Sequence, residues 1–309
     1  MNTTTLSMLG LGGGFLLMIV GADRLIKGAV DLALKLNLSK VFIGAVFIGF
    51  GTSAPELVTS LFSAHAGEGV LAAGNVIGSN IFNSTLVMGT CLLFPFALSK
   101  SEKSLQNVVL LILPSVLMLI FASDLKFTVL EGILLLIPLP IFLYLMMKEG
   151  AGTDEVEEQP TSILLDLFWI TAGGFALFFG STFAIKASLN LVDLFGISKG
   201  FAGAVILAAG TGLPELVTTI VAGFKKEISL AFANILGSNA LNTFGVLGLS
   251  AILFPFDINT EMATVNAPFL VAVSVFGLMP LMIFTNRIFI KTWSVVLFGA
   301  YLSFAYFSF

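Results

Sequence analysis

Gly51-Thr52-Ser53-Ala54-Pro55-Glu56-Leu57-Val58-Thr59-Ser60 lies inside a long apolar run. A carboxylate in such a run costs about 2.5–3.5 kcal/mol at a bilayer centre on insertion scales. The same words return as Gly210-Thr211-Gly212-Leu213-Pro214-Glu215-Leu216-Val217-Thr218-Thr219, with the two prolines 159 residues apart. A costly feature written twice needs a return, and the rest of the chain is read outward from it.

The 309 residues are 57% hydrophobic and 10% charged, with a mean hydropathy of +1.06. A soluble domain carries about 25% charged residues, so this chain cannot cover a surface facing water. Apolar segments long enough to cross a bilayer recur throughout. They predict an all-α integral membrane protein rather than a barrel. The net charge of −4 says little, because several acids share one loop. A single cysteine, Cys91, excludes an internal disulfide and a cysteine-rich metal site. The first apolar segment holds Asp23, Arg24 and Lys27 without a clear cleavage site, and is read as a retained helix.

Ten spans are predicted, near 6–34, 41–66, 69–94, 105–122, 127–147, 162–193, 200–224, 228–255, 263–285 and 288–308. The one long polar stretch, 148–161, contains Asp154, Glu155, Glu157 and Glu158. It reads as a solvated acidic linker without Ca²⁺-loop spacing. It separates a first five-helix repeat, 1–147, from a second, 162–309. The offset of 159 also matches Gly14 with Gly173, Gly21 with Gly180 and Lys27 with Lys186. Asn75-Val76-Ile77-Gly78-Ser79-Asn80 matches Asn234-Ile235-Leu236-Gly237-Ser238-Asn239, and Asn83 matches Asn242.

An odd number of spans per repeat inverts the second copy, the plan of many secondary transporters. With the N-terminus outside, the inside loops hold Lys35, Lys40, Lys100, Lys103, Lys148, Lys225, Lys226, Arg287 and Lys291, and the outside loops only Lys126 and Lys199. This charge bias puts both termini outside a cell membrane.

Pro55 lacks an N–H and crowds the carbonyl of Gly51, and Pro214 does the same to Gly210. Spans 2 and 7 are therefore expected to break at mid-height, with spans 3 and 8 also broken around the same midplane site. Thr52 and Glu56 are four apart, so one helix face is expected to carry both. Asn75, Ser79 and Asn83 fall at i, i+4 and i+8, and Asn234, Ser238 and Asn242 repeat that stripe. The product is a pocket of carboxylate, hydroxyl, amide and carbonyl oxygens. Without sulfur or imidazole, it suits Ca²⁺ or Na⁺ rather than zinc or copper. Two carboxylates balance one Ca²⁺, or two Na⁺ with room for a third ion at a neutral site. A lone membrane proline is ordinarily a kink, and a Ser/Asn stripe ordinarily packs helices. The mid-span Glu and the recurrence of all three features argue for function. His65, Cys91 and the 31 Phe are read as structural.

At these residues the chain resembles the cation/Ca²⁺ exchanger superfamily. Residues 51–56 with 74–83 are similar to its first α-repeat and 210–215 with 234–242 to its second, with the likeness closest to prokaryotic Na⁺/Ca²⁺ exchangers. The resemblance covers essentially the whole chain. It implies Na⁺/Ca²⁺ antiport by alternating access, with spans one and six sliding across the remaining bundle. It implies Glu56 and Glu215 as shared acidic ligands, and Thr52 and Thr211 beside them with main-chain oxygens near Gly49 and Ala208. Ser53, Ser79 and Ser238 would line flanking Na⁺ sites, and Asn83 and Asn242 would complete the pocket. Two departures stand out. Gly212 replaces a second Ser, removing one oxygen from a Na⁺ site, and Asn242 stands where some relatives carry Asp.

No bond is made or broken in such a process, so no enzyme, cofactor, nucleic acid or obligate protein partner is expected beyond the ions and the bilayer. H⁺/Ca²⁺ exchange and K⁺-dependent Na⁺/Ca²⁺ exchange are the nearest alternatives. A cation channel is the alternative of another class, though channels more often build pores from identical subunits around an axis. A membrane-embedded hydrolase lacks a mid-membrane His, a Cys nucleophile with a base, and a paired Asp.

Overall fold

A computed structural model describes residues 3–94, 105–148, 162–195, 210–283 and 286–307. The acidic stretch 149–161 and residues 196–209, which include Ala208, lie outside the described residues. Helices α1 Thr3–Lys35, α2 Lys40–Thr52, α3 Ala54–His65, α4 Gly69–Leu93, α5 Leu105–Ala122 and α6 Val129–Lys148 make the first half. Helices α7 Ile163–Phe195, α8 Leu213–Phe224, α9 Ile228–Leu253, α10 Ala267–Ile283 and α11 Arg287–Phe307 make the second. Among the described residues, six helices are long and apolar enough to cross a bilayer, or seven if α2 and α3 count as one bent span, and shorter apolar helices accompany them. The molecule is an all-helical, multi-pass membrane protein.

Burial separates the helices by role. The apolar windows of α4 and α9 are 83% and 78% buried, against 22% and 17% for those of α6 and α11. The first pair forms the centre, and the others present apolar side chains such as Leu130, Ile141, Val295 and Leu302 outward. Such an inside-out surface is stable only in lipid.

Close packing at the centre depends on glycine. A Cβ at Gly44 would come within 2.9 Å of the Ala233 Cβ, and one at Gly49 within 3.3 Å of Gly237, so α2 lies directly on the backbone of α9. On the periphery α1 and α7 touch in the same way. A Cβ at Gly14 would meet the Gly180 carbonyl at 2.7 Å, one at Gly21 the Gly173 carbonyl at 2.9 Å, and one at Gly28 the Asp166 carbonyl at 2.7 Å. Small residues permit this backbone approach where lipid offers no hydrophobic drive for association.

Turns repeat as well. After α3, Gly67 takes φ 81°, with Gly67 N–H donating to Ala64 and Glu68 N–H to Ser63. After α8, Lys226 takes φ 62° with the equivalent bonds to Gly223 and Ala222. Both are Schellman turns, in which a left-handed residue lets the last carbonyls be satisfied. Two-residue strands β1 Lys126–Phe127 and β2 Phe256–Asp257 pair antiparallel between the halves.

Candidate functional site

The bend predicted at Pro55 is present. α2 and α3 meet at 48°, hinged on Ser53 at φ −84°, ψ 5°. Gly212 repeats that conformation at φ −81°, ψ −2° ahead of α8. Each proline sits in the first turn of the following helix, and Glu56 and Glu215 sit in those same first turns. Carboxylates there face unsatisfied N–H groups and the positive end of a helix dipole.

The expectation for spans 3 and 8 needs correction. α4 and α9 are each one continuous helix. They absorb irregularity in π turns, Asn83–Val87 and Leu241–Leu247, that begin at or next to Asn83 and Asn242. Without a proline inside α4 or α9, one inserted residue widens the turn and re-aims the amide while the helix runs on.

All nine expected ligand residues are buried, none more than 4% exposed. Their pairing crosses the halves. The Thr52 hydroxyl donates to Asn234 Oδ1 at 3.1 Å and lies 3.2 Å from Ser238 Oγ. The mirrored pair, Ser79 Oγ and Thr211 Oγ1, is also 3.2 Å apart. The polar neighbours of Glu56 are Ser79 and Thr211, and those of Glu215 are Thr52, Ser238 and Ser53. Thr52 thus faces the acid of the other half. The i, i+4 rule placing it beside Glu56 presumes a continuous helix, and the bend at Ser53 falls between them. The Gly49 carbonyl accepts from the Ser53 N–H at 3.0 Å and from the Thr52 hydroxyl at 3.2 Å.

Neither carboxylate oxygen of Glu56 has a hydrogen-bond partner in the protein, and neither does Oε2 of Glu215. Glu215 Oε1 accepts from Ser53 at 3.3 Å. The two carboxylates are close enough to repel each other. Both polar atoms of Asn83 and Oδ1 of Asn242 are likewise buried without partners. A buried acceptor left unmet loses about 1–3 kcal/mol, more when charged. Glu56, Glu215, Asn83 and Asn242 therefore form an electron-rich set that a cation would satisfy. Among the described residues no three His, Cys, Asp or Glu side chains gather, so hydroxyl, amide and main-chain oxygens would complete any shell.

Gly212 has a structural cause. A Cβ there would meet the Phe82 ring at 2.5 Å. The ring packs edge-on to Tyr301 with centroids 5.4 Å apart. At the matching offset Phe82 corresponds to Leu241, so the first half carries Ser53 and Phe82 and the second Gly212 and Leu241. The hydroxyl missing beside Glu56 is replaced by an aromatic edge.

A further tier supports the amides. Asn80 donates to Thr243 Oγ1 at 2.8 Å and to the Asn239 carbonyl at 3.3 Å, and its Oδ1 accepts from Asn242 Nδ2 at 3.1 Å. Asn239 donates to Ser84 Oγ at 3.1 Å. Asn80 with Asn239 and Ser84 with Thr243 are both matched pairs at offset 159. That recurrence was the available signal, but neither pair lies on the predicted ligand stripe. Asn75 is also off the ligand set: it donates to the Glu56 carbonyl at 3.2 Å and to Ser60 Oγ at 2.9 Å.

A family model described as "Sodium/calcium exchanger protein" matches residues 6–148 and 165–309. The chain is 36% identical over 261 residues to the putative antiporter CaxA of Alkalimonas amylolytica, covering 81% of this chain and 82% of that one. It is 27% identical over 345 residues to the sodium/calcium exchanger MaX1 of Methanosarcina acetivorans, covering 97% of each. A solved structure of the sodium-calcium exchanger NCX_Mj, soaked with Na⁺ and Sr²⁺, shares the fold with a TM-score of 0.83 at 24% identity, over 97% of each chain.

Proposed function

Because the chain belongs to the sodium/calcium exchanger protein family, we propose that it is a secondary-active antiporter that exchanges Na⁺ for Ca²⁺ at the Glu56–Glu215 pocket. The observation that carries this reading is the state of the two acids. Both are fully buried, mutually repelling, and short of hydrogen-bond partners on three of their four oxygens. Such a pair is tolerable in a membrane core when cations occupy it, and one Ca²⁺ or two Na⁺ neutralise it equally. Competition for one charge balance is what couples the two fluxes.

In this reading Glu56 and Glu215 are the shared ligands. Thr52, Thr211, Ser53, Ser79 and Ser238 supply hydroxyl oxygens, and Asn83 and Asn242 the amide oxygens. The chain forms ten spans in two inverted repeats, 1–147 and 162–309, in a cell membrane with both termini outside. Contacts at the span ends support that grouping of the loops into two sides, and the lysine and arginine bias assigns which side is inside. Three loops assigned outside meet: Gly69 packs on Phe256, β1 pairs with β2, and the Ile258 N–H donates to the Leu125 carbonyl at 2.8 Å. Residues assigned inside are joined to one another by Lys40–Glu227 at 3.1 Å. The process breaks no bond, needs no cofactor, and uses Na⁺ entry to expel Ca²⁺.

The test is Ca²⁺ uptake by proteoliposomes loaded with Na⁺. Uptake is expected to follow the outward Na⁺ gradient and to stop when it is collapsed. Uptake that ignores Na⁺ and follows a pH gradient would replace this reading with H⁺/Ca²⁺ exchange. Single-channel currents would replace it with a pore.

A further inference from the structure

The α1–α7 pair is built on matched positions, yet its two ends differ. At one end the half-buried Trp169 of α7 meets α1, with the Arg24 guanidinium 4.9 Å above its ring. Lys27 there has the Asp31 carboxylate as an electrostatic partner. At the other end the matched residues are Gly10 for Trp169, Phe183 for Arg24, Lys186 for Lys27 and Asn190 for Asp31. The indole has become a hydrogen, and the acid has become a neutral amide. What results is a cavity of about 650 Å³ lined by Gly10, Gly13, Leu16, Phe183, Lys186 and Asn190, among others. Among the described residues Lys186 makes no ion pair. It lies nine residues from the helix end at Phe195, roughly 14 Å along the axis.

The lining selects its occupant. Leu16 is 64% exposed and Phe183 51%, so the flank of the cavity opens sideways across apolar side chains. In a membrane protein that flank faces acyl chains. A hydrated soluble anion would meet apolar walls, whereas an amphiphile satisfies walls and cation together. We propose that this cavity binds an anionic phospholipid of the bilayer, with its phosphate at Lys186 and Asn190 and an acyl chain over the Gly10–Gly13 floor. The site is separate from the Glu56–Glu215 pocket and does not rest on the exchange reading. Capture here rests on the general attraction between a basic side chain at the bilayer and an anionic lipid headgroup.

The test counts lipid retained by the purified full chain, using native mass spectrometry after washing from equal parts phosphatidylglycerol and phosphatidylcholine. Wild type is expected to retain the anionic lipid in preference, and Lys186→Gln to lower that preference about fivefold, the worth of one lysine at a lipid phosphate. Gly13→Leu is expected to lower retention of both lipids. No atom lies within 4 Å of a Cβ at Gly13, so the leucine occupies the floor without displacing backbone. Lys27→Gln, at the matched position, is expected to change neither. Equal retention of the two lipids by wild type, or an unchanged preference in Lys186→Gln, overturns the proposal. So does displacement of phosphatidylglycerol by soluble glycerol phosphate, which would make this a site for free anions. Thermal unfolding of each variant separates lost lipid from lost fold, and the Lys186→Gln result decides the matter if Gly13→Leu does not fold.

Discussion

Position 212 shows what a single missing atom does to a pocket. A serine there would press its Cβ into the Phe82 ring at 2.5 Å. Overpacking of this kind costs about 1–3 kcal/mol, so Gly212→Ser is expected to lower thermal stability by that amount. Adding Phe82→Leu copies Ser53 and Leu241, the residues at the two matched positions. It is expected to recover most of the loss and to lower the Na⁺ concentration needed for half-maximal exchange. At the acids themselves, Glu56→Gln and Glu215→Gln each remove one of the two charges that the proposed site offers a divalent ion. Uncompensating a buried charged set costs about 3–5 kcal/mol, so Na⁺-dependent Ca²⁺ flux is expected to fall at least roughly 100-fold. The fold should survive, because removing one charge also relieves the repulsion between the pair. The two glutamates were legible because a mid-span acid is rare and this one recurs. Which hydroxyl serves which glutamate was not legible. It depends on how two distant halves face each other, and the bend at Ser53 overrides local spacing.

Among the elements, α1 and α7 behave as one body, since glycines let the two helices approach to backbone contact at Gly14, Gly21 and Gly28. Gly14→Leu is expected to force them apart and to cost at least about 1–3 kcal/mol in a thermal melt. Gly12→Ala, where a Cβ meets nothing within 4 Å, is expected to be neutral or to stabilise by about 0.4–1 kcal/mol through the unfolded chain. The left-handed turn at Lys226, φ 62°, carries a side chain where its match Gly67 carries none. A left-handed L-residue costs about 1–2 kcal/mol, so Lys226→Gly is expected to stabilise measurably in the same assay. Among the described residues, helix positions were readable within a few residues from the apolar runs. The π turns in α4 and α9 were not, because they change hydrogen-bond register without changing composition or periodicity enough to register in the sequence.

Over the whole molecule, the repeat offset was readable from matched glycines, asparagines and serines, and it carries through to matched turns and matched amide networks. Where the halves diverge, at Phe82 against Leu241 and at Gly10 against Trp169, no rule about repeats foretells what the difference does. Only packing reveals it. The halves are also joined by the two-strand contact between β1 and β2, whose register sets Lys126 opposite Asp257. Cysteines at these two positions, oxidised to a cross-link, are expected to leave Ca²⁺ flux within about twofold of the reduced state. Buried Cys91 is no competitor for that bridge. A carrier stitched shut along one rim cannot breathe there. Whatever swing admits and releases its cargo must pivot about that seam, so the opposite rim and the outlying helix pair are left to do the travelling.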